Sequence, residues 1–257
     1  MMHNKIRMFV TRMKDLNKQA HQMIEKTNST LQSEILLLIP TLNEEDAIGE
    51  LVQEAQRSGF TNILVVDGFS SDRTREIADS MNARVVLQEF GKGKGCGIRT
   101  GMKLFLEGEF ELLSIIDGDG TNNPSCLLKI FQQAKSNLAD VLLGSRTRGV
   151  RDKNAMGMLS LASNLTVSFL LGAKFRRFFT DVQTGYWVFT RKAVEQIYPQ
   201  IQSEGFEIEL ELFVKCLKNR LRVIEVPVGY RKRKGRTKFS LRLRIRNLYY
   251  AFKYLAS

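Results

Sequence analysis

The sequence predicts an α/β fold, a mostly parallel sheet flanked by helices, and three observations carry that prediction. Five short runs, ILLLIP, NILVVDG, RVVLQE, LLSIID and ADVLLGS, are apolar almost throughout between residues 35 and 145. Runs that do not alternate with polar residues belong to strands covered on both faces, as in parallel sheets. Helix-like stretches open near Glu44, Ser71, Lys94 and Ser125, and strand–helix alternation is the signature of the class. Each of the first four runs also ends in a polar loop, and ligands of such sheets sit beyond the carboxyl ends of the strands.

Ahead of the first strand, residues 1–32 place Ile6, Phe9, Val10, Met13, Leu16, Ala20, Met23 and Ile24 at steps of three and four. That spacing is an amphipathic helical extension, expected to pack on the body or on a second copy of the chain. The body follows over 33–240, and 241–257 form a basic amphipathic helix, expected to close the core with a basic outer rim in preference to lying on an anionic membrane. With 257 residues, 43% hydrophobic and 26% charged, the composition excludes disorder and suits one substantial core. The net charge of +12 is uneven: residues 231–257 hold ten Lys/Arg and no acid, residues 1–32 six bases against two acids, which leaves −2 on 33–230. A near-neutral body disfavours a nucleic-acid-binding protein despite the pI of about 9.7. Three scattered cysteines, Cys96, Cys126 and Cys216, lack metal spacing and are expected as reduced thiols in a cytosolic setting. The start is interrupted by charge too often for a signal sequence, and Leu159 to Ala173 is too short and polar to span a bilayer. The expected location is the cytoplasm, peripheral at the inner face of a membrane. His3 and His21 both lie in the extension, so histidine catalysis is not expected.

The loops in order are Pro40-Thr-Leu-Asn-Glu-Glu45, Asp67-Gly-Phe-Ser-Ser-Asp-Arg-Thr74, Gly91-Lys-Gly-Lys-Gly95 and Asp117-Gly-Asp119. Four polar loops on one rim make a site. In the last, side chains at i and i+2 point the same way at a strand end, so Asp117 and Asp119 face one volume. Two carboxylates that close repel unless a cation lies between them, and hard oxygen donors on an open loop suit Mg²⁺ or Mn²⁺ with a phosphorylated ligand. A plain polar turn is the competing reading of Asp-Gly-Asp-Gly. The glycines of 91–101 match neither the P-loop nor G-x-G-x-x-G, which speaks against an ATPase or a dinucleotide-dependent dehydrogenase. Asp67 can accept hydrogen bonds from a base or ribose, while Ser71 to Thr74 cap the following helix.

P-T-L-N-E-E, V-V-D-G-x-S-x-D-x-T, G-K-G-x-x-x-x-x-x-G and D-G-D, in that order, resemble the nucleotide-sugar-binding half of family 2 glycosyltransferases with the Rossmann-like GT-A fold. Asp181-V-Q-T-Gly185, Gly205-F-E-I-Glu209 and Glu225-V-P-V-G-Y-R-K-R-K-G-R-T-Lys238 resemble the branch of dolichyl-phosphate mannosyltransferase and related polyprenyl-phosphate glycosyltransferases. The resemblance covers roughly residues 33–240. It implies that Pro40, Leu42, Glu44 and Asp67 hold the nucleobase, and that Asp117 and Asp119 hold ribose and a divalent metal on the diphosphate. Lys94 joins the donor-binding set, and Asp181 an acceptor-side or sugar-side role. Leu42 stands where the family often has an aromatic, and Thr121 where the mannosyl enzymes have Gln.

The implied reaction is an inverting, Mg²⁺- or Mn²⁺-dependent transfer of sugar from a UDP- or GDP-sugar to polyprenyl or dolichyl phosphate. Cations must then draw one anion beside another, and Arg146, Arg231, Arg233 and Lys238 are the candidates, since guanidinium forks bind phosphate oxygens bidentately. A soluble hydroxyl acceptor, a small phosphorylated acid or a glycan, is the alternative, and it would need a general base from Glu207 or Glu209. On a helix those two diverge by roughly 200°, so one of them faces the site. The implied partners are the nucleotide-sugar, the lipid phosphate, a membrane surface and a possible second copy, with no nucleic acid.

Overall fold

The computed structural model describes residues 34–126, 139–235 and 241–256. The N-terminal extension, most of the helix expected from Ser125, and Lys238 lie outside the described residues. Seven strands form one sheet: β1 (Ile35–Thr41), β2 (Ile63–Asp67), β3 (Arg84–Leu87), β4 (Leu112–Ile115), β5 (Val141–Ser145), β6 (Trp187–Thr190) and β7 (Val223–Pro227). Its spatial order is β3-β2-β1-β4-β6-β5-β7. The five strands expected from sequence are all present and share one direction, but β4 and β5 are not neighbours. β6 is inserted between them, antiparallel to both, and β7 extends the far edge parallel to β5.

Among the described residues seven α-helices cover the sheet: α1 (Ile48–Arg57), α2 (Thr74–Ser80), α3 (Lys94–Glu107), α4 (Met158–Lys174), α5 (Arg191–Ile197), α6 (Ile208–Lys218) and α7 (Leu241–Ala256). α1 and α2 begin later than expected, at Ile48 and Thr74. Residues 44–47 and 70–73 are instead spent on turns that tie the two loops together. Asn43 Oδ1 accepts from the Ser71 amide at 2.8 Å, and Asp72 Oδ2 accepts from the Glu45 amide at 3.2 Å. Asp72 also accepts from Thr74, while Arg73 occupies the position before the helix and makes no side-chain cap.

Continuous apolar strands feed two cores, because successive side chains of each strand alternate between faces. Ile35, Leu37 and Ile39 of β1 meet α1, whose buried Ile48, Leu51, Val52 and Ala55 follow the helical step. Leu36 and Leu38 point the other way, to Ile98, Met102 and Phe105 of α3 in a core shared with α4, α5, α6 and Ala251 of α7. α7 therefore packs its inner face, including Leu248 and Leu255, on the body, while Ile245, Tyr249 and Phe252 are exposed.

Candidate active site

Polar segments from several parts of the chain meet where β1 and β4 end. Gly118 separates the two acids of the β4 loop because the chain there lies against β1: a Cβ on Gly118 would sit 2.6 Å from Thr41 Cγ2. Asp117 is placed by a second glycine. A Cβ on Gly185 would fall 2.0 Å from Asp117 Oδ2, so the carboxylate lies where only a hydrogen leaves room.

Each acid of the pair meets a cation from a distant segment. Lys94, the first residue of α3, places Nζ 2.6 Å from Asp117 Oδ1 and 2.5 Å from Glu209 Oε1, a three-membered cluster in which Glu209 is buried and Lys94 and Asp117 are half-buried. Burial pulls the Lys94 pKa down, but Asp117 and then Glu209 outweigh it and hold the ammonium above the usual lysine range. Burial raises the Glu209 carboxyl, with Lys94 opposing that shift. Arg233, in the loop after β7, spans Asp119 and Glu44: Nη1 lies 2.6 Å from Asp119 Oδ2 and Nη2 2.5 Å from Glu44 Oε1. Asp119 Oδ1 meanwhile accepts from the amide and hydroxyl of Thr121 at 3.0 and 2.6 Å. The loop carrying Arg233 is strapped across the D-x-D segment. The Arg231 amide donates to the Thr121 carbonyl at 2.8 Å, the Arg231 side chain pairs with Glu54 at 2.8 Å, and Lys234 pairs with Glu50.

Arg146 and Asp181 form a separate clamp. Arg146 Nε and Nη2 donate to the two oxygens of Asp181 at 2.8 and 2.7 Å, and Nη2 also donates to the Gln183 carbonyl. Asp181 is fully buried and accepts from Asn164 Nδ2 of α4 at 2.8 Å. Its amide donates to Glu225 of β7, and the Tyr230 ring lies 5.2 Å from the Arg146 guanidinium. The clamp joins the β5 loop, α4 and the segment before β6 beside the site.

Glu207 and Glu209 part company as the helical step requires. Glu209 turns to Lys94, whereas Glu207, just ahead of α6, pairs with Arg246 of α7 at 2.8 Å. Asp67, also fully buried, accepts from the amide and hydroxyl of Ser70 at 2.8 and 2.5 Å. Arg75 of α2 lies 3.7 Å from Asp67 Oδ2 as well. Leu42 is exposed on the rim, and Pro40 lies in β1 beside it. Sequence reasoning missed Gly185, Thr41, Asn122 and Gln183. Thr41 Oγ1, Asn122 Oδ1 and Gln183 Nε2 are buried without a hydrogen-bond partner among the described residues, and such groups call for a partner from water, an ion or a ligand. The signal was present in D-V-Q-T-G and D-G-T-N, whose uncharged members carry no titratable group to draw notice.

The donor chemistry fits a divalent cation: two carboxylates on one loop, with the orphaned amide oxygen of Asn122 in the same segment, are hard oxygen ligands. Among the described residues no three His, Cys, Asp or Glu side chains gather as a metal-binding group. Asp117 and Asp119 would therefore share an ion with ligand oxygens, as Mg²⁺ sites do with substrate phosphates.

A mixed sheet of this order with an acidic loop on its carboxyl rim defines a GT-A glycosyltransferase fold. The chain belongs to glycosyl transferase family 2, whose model matches residues 37–198. It is 32% identical over 200 residues to glycosyltransferase AglJ of Haloferax volcanii, covering 76% of this chain and 62% of that protein. The chain thus spans less than two thirds of that relative's length. It is 27% identical over 211 residues to the UDP-N-acetylglucosamine–dolichyl-phosphate N-acetylglucosaminyltransferase of Methanococcus voltae, covering 76% and 84% of the two chains. Glucosyl-3-phosphoglycerate synthase of Mycobacterium tuberculosis, crystallised with Mn²⁺, UDP-glucose and phosphoglyceric acid, superposes with a TM-score of 0.69 at 18% identity. That match covers 88% of this chain and 83% of the other, and it supports the fold.

Proposed function

We propose that the chain transfers a sugar, with inversion, from a UDP- or GDP-sugar to a polyprenyl or dolichyl phosphate at the cytosolic face of a membrane. The carrying observation is the alternation of charge on the rim: Lys94 on Asp117 and Arg233 on Asp119, each cation from a different segment. Such a cleft is matched to a diphosphate that brings its own divalent ion. Asp119 and Asp117 would hold Mg²⁺ or Mn²⁺, which when bound supplies Lewis-acid stabilisation of the leaving diphosphate.

The chain's own residues do the rest. Lys94, held as the ammonium by its two acids, contributes fixed positive charge beside Asp117, and Glu209 keeps it there. The strap after β7 presents Arg233, a group suited to phosphate oxygens, and covers the D-x-D loop against water. Pro40, Leu42, Glu44 and Asp67 line the end of the rim assigned to the nucleobase. A lipid phosphate is already an anion near neutral pH and needs no base, only positive charge to bring it beside the donor. The names of several relatives support this acceptor, among them the Methanococcus enzyme and an undecaprenyl-phosphate mannosyltransferase of Micrococcus luteus, 27% identical over 221 residues.

A second reading, transfer to a soluble hydroxyl, draws on Glu209, a buried carboxyl whose pKa burial raises, as the general base that a hydroxyl acceptor needs. The test is a panel of UDP- and GDP-sugars with Mn²⁺, assayed with and without polyprenyl phosphate. Transfer to the lipid is expected, with Asp119→Ala losing metal-dependent donor binding in calorimetry. Transfer only to a soluble hydroxyl, stopped by Glu209→Gln, would overturn the lipid acceptor.

A further inference from the structure

We propose that the outer faces of α4 and α7 together form a docking surface for an anionic lipid bilayer. The two helices lie parallel and side by side: Arg244 of α7 donates to Ser160 near the start of α4 at 2.7 Å. At the other end Lys174 donates to the Tyr254 and Leu255 carbonyls at 2.7 and 2.9 Å. Each keeps one apolar face on the core and turns a second one outward. On α4 and the turn after it, Leu159, Phe169 and Phe178 are 62%, 68% and 85% exposed. On α7, Ile245, Tyr249 and Phe252 recur at i, i+4 and i+7 and are also exposed. Phe169 and Phe178 border an open apolar hollow of about 330 Å³ beside Gly172 and Ala173. Exposed apolar patches of this kind mark interaction sites.

Charge identifies the occupant. Residues 158–180 contain three Lys/Arg and residues 241–257 four, with no Asp or Glu in either segment. Arg176, Arg242 and Lys253 are exposed among the apolar side chains. Glu44, Glu50 and Glu54 belong to α1 and its approach, on the opposite face of the sheet, and Glu207, which reaches α7, is buried against Arg246. Aromatic and aliphatic side chains set among cations, on helices too short to cross a membrane, match an interface with anionic headgroups. A twofold contact between two copies would instead set like charges against each other.

The surface is tied to the rim at two points. Asn164 of α4 holds Asp181, and Arg246 of α7 holds Glu207, two residues from Glu209. Docking therefore brings Asp181 and Glu207, at the edge of the site, near the bilayer, and in this the proposal rests on the lipid-acceptor reading.

The test is co-sedimentation of the full chain with extruded vesicles of phosphatidylcholine alone or mixed with phosphatidylglycerol, at low and high salt. Binding is expected to the mixed vesicles and to weaken with salt. It should fall roughly tenfold or more in Phe169→Ser/Phe252→Ser and in Arg242→Gln/Lys253→Gln, with thermal melting unchanged because these side chains are exposed. Wild-type protein that stays in the supernatant, or variants that bind as well as wild type, would overturn the docking surface. So would a concentration-dependent dimer, seen by light scattering, that the double Ser variant abolishes without any change in vesicle binding. Transfer to polyprenyl phosphate dispersed in detergent, measured in parallel, separates the two readings. Transfer without vesicle binding removes the docking surface alone, whereas vesicle binding without transfer removes the lipid acceptor alone.

Discussion

Single atoms decide how the two acids of the β4 loop are held. Gly185 admits the Asp117 carboxylate to a place that a Cβ would occupy. The clashing atom is the end of a side chain, so Gly185→Ala should push Asp117 away from Lys94 while leaving the backbone in place. Turnover is expected to drop by about 10²-fold, the effect of misplacing a group by an ångström, with an unchanged melting temperature. A large loss of stability would show that the glycine serves the fold instead. The Arg146–Asp181 clamp makes the opposite prediction. Asp181→Ala strands a half-buried guanidinium and should cost about 3 kcal/mol in urea unfolding, the low end for a broken buried pair, and adding Arg146→Met should restore much of it. If the double variant is no better than the single one, the clamp is not an isolated pair.

The strap after β7 is the element with most influence on the site. It carries Arg233 to Asp119 and Glu44 and is pinned at Arg231 and Lys234 to α1. If Asp119 holds the metal as proposed, the guanidinium on its Oδ2 would compete with the ion for that oxygen. Arg233→Gln should therefore tighten Mn²⁺ binding to the apo-protein, read by calorimetry, while weakening use of the nucleotide-sugar. Weaker Mn²⁺ binding in the variant would mean that Arg233 orders the carboxylate rather than competing for it. The pairing of Arg233 with residue 44 spans 189 positions in sequence, and no pattern near either residue announces it. The basic run was legible as a run. Which of its members reaches the acids was not, since alternation and helical period govern only neighbours.

Across the whole molecule, α7 closes the core on one side and carries a basic, apolar face on the other. Removing residues 241–257 should uncover the contacts of Leu248, Ala251, Tyr254 and Leu255 with the body. A clearly lower urea midpoint is expected than in the intact chain. An unchanged midpoint would make the helix an appendage. Ile245, Tyr249 and Phe252 are exposed while Leu248 and Leu255 pack on the body: apolar side chains lie on more than one side of the helix, and a tally of apolar positions does not say which side meets the core.

The α/β class, the five parallel strands, the placement of the polar loops on one rim and the acidic pair at its centre were readable in the chain, because each depends on local period and turn chemistry. The family resemblance followed from the same loops. The insertion of β6 between β4 and β5 was not readable, since an apolar run such as Trp187–Thr190 records burial but not its neighbours. The roles of Glu207 and Glu209 were undecided for a similar reason. Helical geometry separated them, but only folding brought Lys94, 115 residues away, to Glu209 and Arg246 to Glu207. Long-range ion pairs are chosen by which segments the sheet brings together, and that choice resides in the packing of the whole chain rather than in any stretch of it.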